Sequence, residues 1–460
     1  MRVFYILVVP ILFSFSGCML SKTELEYELN IPQNFTKNID KPTKTDRFWY
    51  KEFNSDELNS LIDIGLKNSP TLLSAYEKIE QAKLLVDIAD VAYKPKVDLS
   101  ASSSKRLNID SNHNKTRPES TSLGASMSYE VDIWGKTRAS IDSAKANLNF
   151  NQYDFDAMKL SLISNITTTY FEYLSLAQKQ TIAKENYTIA KQIFDITQSK
   201  YNNGIIDKLD INRQKQLLLQ SESSLNTLKT QKELKLNALA LLVGLNSSEL
   251  DIKTADLDAI KTINVNSTLP SELLLSRPDI AAALESLESA RASIDIARAA
   301  KLPSFSLSGD GGVSSVKLLS LSNLTSTLGL GIRINYNLFD DGELENKILI
   351  EKSKAKALVQ NYKNSILNAF KEVNDALLST SLDKDELVLY EQMLDESKSA
   401  YEISKLKYEN GLSDLNTMLD TQKSYFNSKE SMISQKLSYL VNLVVLTKSL
   451  GGGWSKEDEF

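Results

Sequence analysis

The sequence is short of the residues that most enzyme chemistry needs. It holds one histidine, His113, and one cysteine, Cys18, in 460 residues. Metal sites built from His and Cys clusters, and nucleophilic catalysis by Cys/His or Ser/His sets, are nearly excluded by that inventory. No phosphate-binding loop or nucleophile–base constellation replaces them, so the chain reads as no enzyme and calls for no cofactor and no metal. With 53 basic against 59 acidic residues, a net charge of −6 and no basic block, nothing is available to neutralise nucleic-acid phosphates. Apolar runs are scarce too: the one from Val3 to Phe15 is too short to span a bilayer as a helix. Glycine and proline number only 16 and 9, and their placement is the most informative feature of the chain.

The chain is written twice. Gly135 and Gly204 bracket 68 residues without glycine or proline, and Gly342 and Gly411 bracket another 68. A shift of 207 or 208 positions lays Pro70 on Pro278, Pro95 on Pro303, and Lys200-Tyr201-Asn202-Asn203-Gly204 on Lys407-Tyr408-Glu409-Asn410-Gly411. Such self-similarity points to one doubled architecture rather than several domains.

The N-terminus reads as a targeting segment, residues 1–17. Arg2 precedes the apolar run, which ends in Phe15-Ser16-Gly17-Cys18. Small residues before a lone Cys resemble a bacterial lipobox, with cleavage before Cys18 and lipidation of its thiol and new amine. The other reading is an adventitious buried thiol. A lipidated single cysteine also explains an exported chain without a disulfide. Met19 is not the Asp that commonly retains lipoproteins at the inner membrane, which favours the outer one. Residues 18–47, polar and with Pro32 and Pro42, read as an extended tether.

Helical periodicity begins near Phe48 and runs amphipathically after Pro70 (Leu72, Ala75, Ile79, Ala82) until Pro95. Then the period becomes two. Val97, Leu99 and Ala101 alternate with polar residues; so do Leu123, Ala125, Met127, Tyr129 and Val131. The second half repeats this with Phe305 and Leu307, then with Leu328, Leu330, Ile332, Ile334, Tyr336 and Leu338. Four strands of about 10 residues are expected, in regions 96–134 and 303–340, each with one apolar face. About 10 residues is also what a tilted strand needs to cross a bilayer, and apolar-out, polar-in alternation suits a membrane barrel around water. A soluble sheet packed on one side is the alternative. Four strands alone leave unpaired edges.

The glycine-free stretches predict long helices over 136–203 and 343–410, each on the order of 100 Å if continuous. Ile348, Ala355, Leu358, Tyr362, Ile366, Phe370, Val373 and Leu377 form an apolar stripe on the second, so such helices must pack side by side. Each ends in a Tyr-x-x-Gly turn with a returning helix. Membrane-length strands joined to such hairpins describe a tube, which one copy cannot close; a symmetric oligomer is required. The expected organisation is a first repeat over 48–260 and a second over 261–460.

This organisation resembles the TolC-like outer-membrane factor family, in the lipoprotein branch of RND-type efflux ducts. The residues that carry the resemblance are Tyr129-Glu130-Val131-Asp132-Ile133-Trp134-Gly135, Leu269-Pro270-Ser271-Glu272-Leu273-Leu274, Arg277-Pro278-Asp279-Ile280, Ala299-Ala300-Lys301-Leu302-Pro303-Ser304 and Leu450-Gly451-Gly452-Gly453-Trp454. The fold implied is mainly α with a small β part: a homotrimer with a twelve-stranded transmembrane β-barrel, four strands per protomer, and an α-helical barrel. The resemblance also implies an inner-membrane pump, a periplasmic adaptor, contact with outer-membrane lipid, and passive export.

It further implies an acidic ring at the periplasmic tip, matched here by Asp210 and Asp420. From the residues alone these are solvated helix-surface aspartates. A further family aperture position holds Thr417, a departure that suggests a weaker constriction. Asp207 and Asp414 read as N-caps of the returning helices. Tyr201 and Tyr408 either latch the closed tip or pack there, and the turns at Gly204 and Gly411 match the family's adaptor-docking surface. Trp134 serves as an interfacial belt residue or in packing; His113 is expected in an exposed loop. Within the family, ducts for type I protein secretion and for metal cations are alternatives. Outside it stands a coiled-coil scaffold lipoprotein without a pore.

Overall fold

The computed structural model describes residues 20–28, 35, 46–111, 113, 115–254, 256–263 and 276–455. The targeting segment with Cys18, most of the tether, and the Leu269–Leu274 string lie outside the described residues. After a 3₁₀ turn at Trp49–Phe53 come helices α1 (Asp56–Asn68) and α2 (Pro70–Val91). Strands β1 (Lys96–Lys105), β2 (Asn108–Ile109), β3 (Lys115–Thr116) and β4 (Glu119–Val131) follow, then α3 (Lys136–Asn202) and α4 (Lys208–Val243). The second pass gives α5 (Pro278–Ala300), β5 (Ser304–Ser315), β6 (Thr325–Asn335), α6 (Glu343–Glu409) and α7 (Leu415–Ser449).

The glycine-free brackets are filled end to end: α3 and α6 have 67 residues each. Both stop where glycine takes a left-handed conformation, φ 71° at Gly204 and 73° at Gly411. There the amide of Ile205 reaches back to the Lys200 carbonyl (3.0 Å) and that of Leu412 to Lys407 (2.8 Å). Of the expected stripe on α6, Ile348, Ala355, Tyr362, Ile366, Phe370 and Val373 are buried, while Leu358 and Leu377 are half-buried.

The chain forms two compact units, and each draws on both repeats. The first combines residues 78–152 and 282–363 with the described part of 20–28. Its four-stranded antiparallel sheet has the order β1-β4-β5-β6. The strands hold 10, 13, 12 and 11 residues. β6 ends at Asn335, earlier than the alternation through Leu338 suggests. Its partner β5 starts at Ser304, directly after Pro303, which has no amide to extend the ladder. Each strand-to-helix junction is made the same way. Asp132 accepts from the Thr137 and Arg138 amides (3.1 and 3.0 Å), beside Gly135 at φ 81°. Asp340 accepts from Gly342 and Leu344 (3.1 and 3.0 Å), with Gly342 at φ 85°. Trp134 packs at the first junction, its indole donating to the Pro303 carbonyl at 2.6 Å. His113 is exposed in its loop, at φ 64°. Segment 20–28 is pinned to α5: Thr23 donates to Asp295 through its hydroxyl (2.6 Å), and Arg298 donates to the Ser21 carbonyl (2.9 Å).

The second unit contains the described residues of 46–77, 153–281 and 364–455. Its core gathers Trp49 and Phe53, Leu58 and Ile62 of α1, Ile166 to Leu174 of α3, and Leu440 to Val444 of α7. Phe53 meets Phe171 edge-on at 5.0 Å. The two sequence strings of the second repeat that are most particular come into contact here. Buried Arg277 bonds Asp279 through two nitrogens (2.9 and 2.7 Å), Glu372 (2.7 Å) and the Ser449 carbonyl (3.0 Å), next to the glycine triplet. Gly451 lies so close to the Ser276 carbonyl oxygen that a Cβ would stand 1.8 Å from it. Trp454 closes the segment, its indole donating to Asp156 at 2.9 Å and its ring edge-on to Tyr153.

Candidate functional site

The sheet of the first unit separates polarity by face. Residues opposite each other in a ladder share a face. The register aligns Val97, Met127, Gly309 and Leu330 in one row and Leu99, Ala125, Gly311 and Leu328 in the next. On this side Leu99, Leu328 and Leu330 are 82%, 88% and 86% exposed. The reverse face is Ser100, Ser102, Ser122, Ser126, Ser306, Ser308, Asp98, Asp310 and Arg333. Its hydroxyls pair across strands, as Ser102 with Ser122 at 2.9 Å. Gly329 on β6 makes room for Asp310, whose Oδ1 a Cβ would approach to 2.6 Å. Among the described residues the outer edges of β1 and β6 have no further strand. An apolar face of this extent is unstable in water and stable in hydrocarbon. Among the same residues no helix is long and apolar enough to cross a membrane.

The second unit carries the two helical turns. Asp207 caps α4, accepting from the Leu209 and Asp210 amides (2.8 and 3.1 Å). Asp414 caps α7, accepting from the Thr417 amide and hydroxyl, both at 2.9 Å. These bonds favour the ionised cap and hold the Asp414 carboxyl below the usual carboxylate range. The two aspartates therefore have the capping role their spacing predicts, and Thr417 is engaged locally with its cap. At Gly204 and Gly411 an added Cβ would meet nothing within 4 Å; the glycines answer the backbone conformation, and the turns are open surfaces.

A groove of about 260 Å³ lies between the turns, lined by Thr197, Lys200, Asp210, Arg213, Tyr408 and Asn416 among others. It brings together two of the expected site residues, Asp210 and Tyr408. Asp420, exposed on α7, does not line it, nor does Tyr201. Tyr408 is half-buried there, Tyr201 is exposed, and among the described residues neither hydroxyl makes a hydrogen bond. Sequence reasoning missed Arg213; the available signal was its place three residues after Asp210, hence on the same helix face. It also missed what fastens α7 beyond the turn. Tyr401 stacks on Tyr425 (5.7 Å, 15°), Lys429 sits 4.7 Å over the Tyr425 ring and pairs with Glu185 at 3.2 Å, and Ser404 bonds Thr421.

A sheet with one hydrocarbon face, one aqueous face and two open edges, in a chain of long helical hairpins, defines the protomer of an outer-membrane channel. The chain belongs to the outer membrane efflux protein family, whose model matches residues 61–245 and again 269–452, once for each repeat. It is 30% identical over 423 residues to the pyoverdine export outer membrane protein OpmQ of Pseudomonas putida, covering 90% of this chain and 89% of OpmQ. It is 27% identical over 448 residues to the cation efflux system protein CusC of Escherichia coli O6:H1, covering 96% and 97%. The crystal structure of the Campylobacter jejuni CmeC outer membrane channel superposes with a TM-score of 0.86 at 26% identity, over 96% of each chain. The protein is thus an outer-membrane channel of a Gram-negative bacterium, reaching into the periplasm as the exit duct of an efflux system. Channels of the family are trimeric and work with periplasmic adaptor proteins and inner-membrane pumps.

Proposed function

We propose that three copies pair β6 of one with β1 of the next, closing a twelve-stranded barrel through which small molecules leave passively. The observation that carries this is the four-stranded sheet with two unpaired edges and opposite polarity on its faces. Cargo arrives from an RND-type pump through an adaptor that docks on the open turns at Gly204 and Gly411. A small organic cargo is supported by the relation to a protein named for pyoverdine export. The relation to a protein named for cation efflux supports a second reading, a metal-cation duct.

At the periplasmic end, three-fold repetition brings copies of Asp210 and Asp420 near one another. The like charges form a soft electrostatic gate that favours cations. Tyr408 fills the groove beside Asp210 and holds the resting turn by packing; Tyr201 stands exposed beside the first turn. Opening is an untwisting of the two hairpins when the adaptor binds. Cys18 carries the acyl anchor, behind a removed segment 1–17 and ahead of the tether. The repeats 48–260 and 261–460 are units of descent.

Conductance of the purified protein in planar bilayers tests the duct. Asp210→Ala combined with Asp420→Ala is expected to raise conductance and lower the preference for cations. A purified trimer that stays silent even with both acids removed overturns the proposal in favour of a scaffold.

A further inference from the structure

We infer that the β5–β6 loop and the cationic β1–β4 loop form a docking surface for a phosphorylated, multiply acylated glycolipid of the outer leaflet. The inference rests on the apolar sheet face meeting lipid. Residues 316–324 join β5 to β6, and Val316, Leu319, Leu321 and Leu324 are 79%, 83%, 50% and 49% exposed. So many bare aliphatic side chains in nine residues are unusual for a loop that meets water.

The loop does not stand free. Thr121 donates its hydroxyl to the Lys317 carbonyl (2.8 Å), the Leu318 amide donates to Glu119 (3.2 Å), and the Leu319 amide to the Ser103 hydroxyl (3.0 Å). In the ladder, Ser103 is opposite Thr121, and both follow at two-residue steps from Leu99 and Ala101, and from Ala125 and Leu123. All three anchors therefore belong to the apolar face. The loop is folded onto that face at the end of the sheet remote from the helix junctions, and its aliphatic side chains prolong the lipid-facing band.

The same end is cationic. Lys105, Arg106, Lys115, Arg117 and Lys317 stand against only Asp110 and Glu119 over residues 105–119 and 317. Lys105 already neutralises Glu119 at 2.6 Å. Exposed leucines beside uncompensated lysines and arginines match a lipid that offers acyl chains and phosphates together, and a zwitterionic phospholipid uses only half of that surface.

Two measurements on the full-length protein test this. In nanodiscs of lipid brominated on its acyl chains, Leu321→Trp is expected to add quenched emission, with Leu330→Trp on the sheet as reference. In native mass spectrometry, the variant Arg106→Ser/Lys115→Ser/Arg117→Ser/Lys317→Ser is expected to retain diphosphorylated lipid A at least about five-fold less than the unaltered protein, with phosphatidylethanolamine retention unchanged. Quenching at residue 330 but not at 321 overturns the inference and leaves the barrel intact, assigning the loop to water or to a second copy. No quenching at residue 330 overturns the barrel reading itself. Equal lipid A retention by variant and parent overturns the glycolipid.

Discussion

The two repeats end in the same joint, built to different strengths. In the first, Gly244 turns at φ 74° against the Asn68 carbonyl, which a Cβ would approach to 2.5 Å; in the second, Gly451 turns at φ 91° against Ser276, with 1.8 Å for the same contact. Both pairs obey the register that relates the halves. The steric joint has thus been kept, and what surrounds it has diverged. Ser69 occupies the first-repeat place of Arg277. Leu245-Asn246-Ser247 stands where the second repeat has Gly452-Gly453-Trp454, all of it packed against Leu160, Trp49, Arg47 and Asp156. Close approach of backbone is the shared requirement; the charged and aromatic clasp is an addition of the second repeat.

The largest effect is expected at the tighter joint. Gly451→Ala must displace a backbone carbonyl at a conformation L-residues avoid, and should destabilise the protein by about 3 kcal/mol or more; Gly244→Ala should cost about 2 kcal/mol. Thermal unfolding of the two variants decides it, and an equal or reversed ranking breaks the comparison. Arg277→Ala comes next. It strips the buried Ser449 carbonyl and two carboxylates of their donor, at about 1–3 kcal/mol. The low end is expected, since the Asp279 and Glu372 side chains are 45% and 51% exposed. Arg277→Lys should not restore it, because an ammonium cannot fork to both acids. Ser69→Ala should stay within about 0.5 kcal/mol.

The smallest difference concerns the caps. Asp414 has its carboxyl depressed by the bonds from Thr417. A depressed native value means that the cap's contribution is present above the unfolded value of 3.8 and fades as pH falls through the native one. Protection of the Thr417 amide against hydrogen exchange, taken relative to its intrinsic rate at each pH, should therefore fall in acid. Asp414→Asn, which caps without a charge, should remove that dependence. An unchanged acid response in the Asn variant would assign the fraying to other groups.

Much of the fold was legible because glycine and proline are so sparse. Gly135, Gly204, Gly342 and Gly411 mark the ends of the long helices, and each takes positive φ there. The alternating faces of β1, β4 and β6 were equally plain. The far half of β5 was not, because Gly309, Asp310, Gly311 and Gly312 carry no apolar mark and owe their strand conformation to partners on both sides. Asp207 and Asp414 could be read as caps from spacing, since capping is local. The groove holding Asp210, Arg213 and Tyr408 was hidden, as was the bond from Arg277 to Ser449, because residues some 200 and 172 positions apart meet only through tertiary packing.

The equal length of α3 and α6, 67 residues each with returns of 36 and 35, makes the protein a pair of matched rulers. One residue inserted into α3 alone moves everything beyond it by about 1.5 Å and turns it by about 100°. The apolar stripe past that point then faces the wrong way, and the two turns no longer meet around their shared groove. A length change is absorbed with least distortion as whole seven-residue blocks, entered in both rulers and in both returns. Natural variation in reach should therefore be quantised and paired, which is a bookkeeping constraint on evolution that the duplication itself imposes.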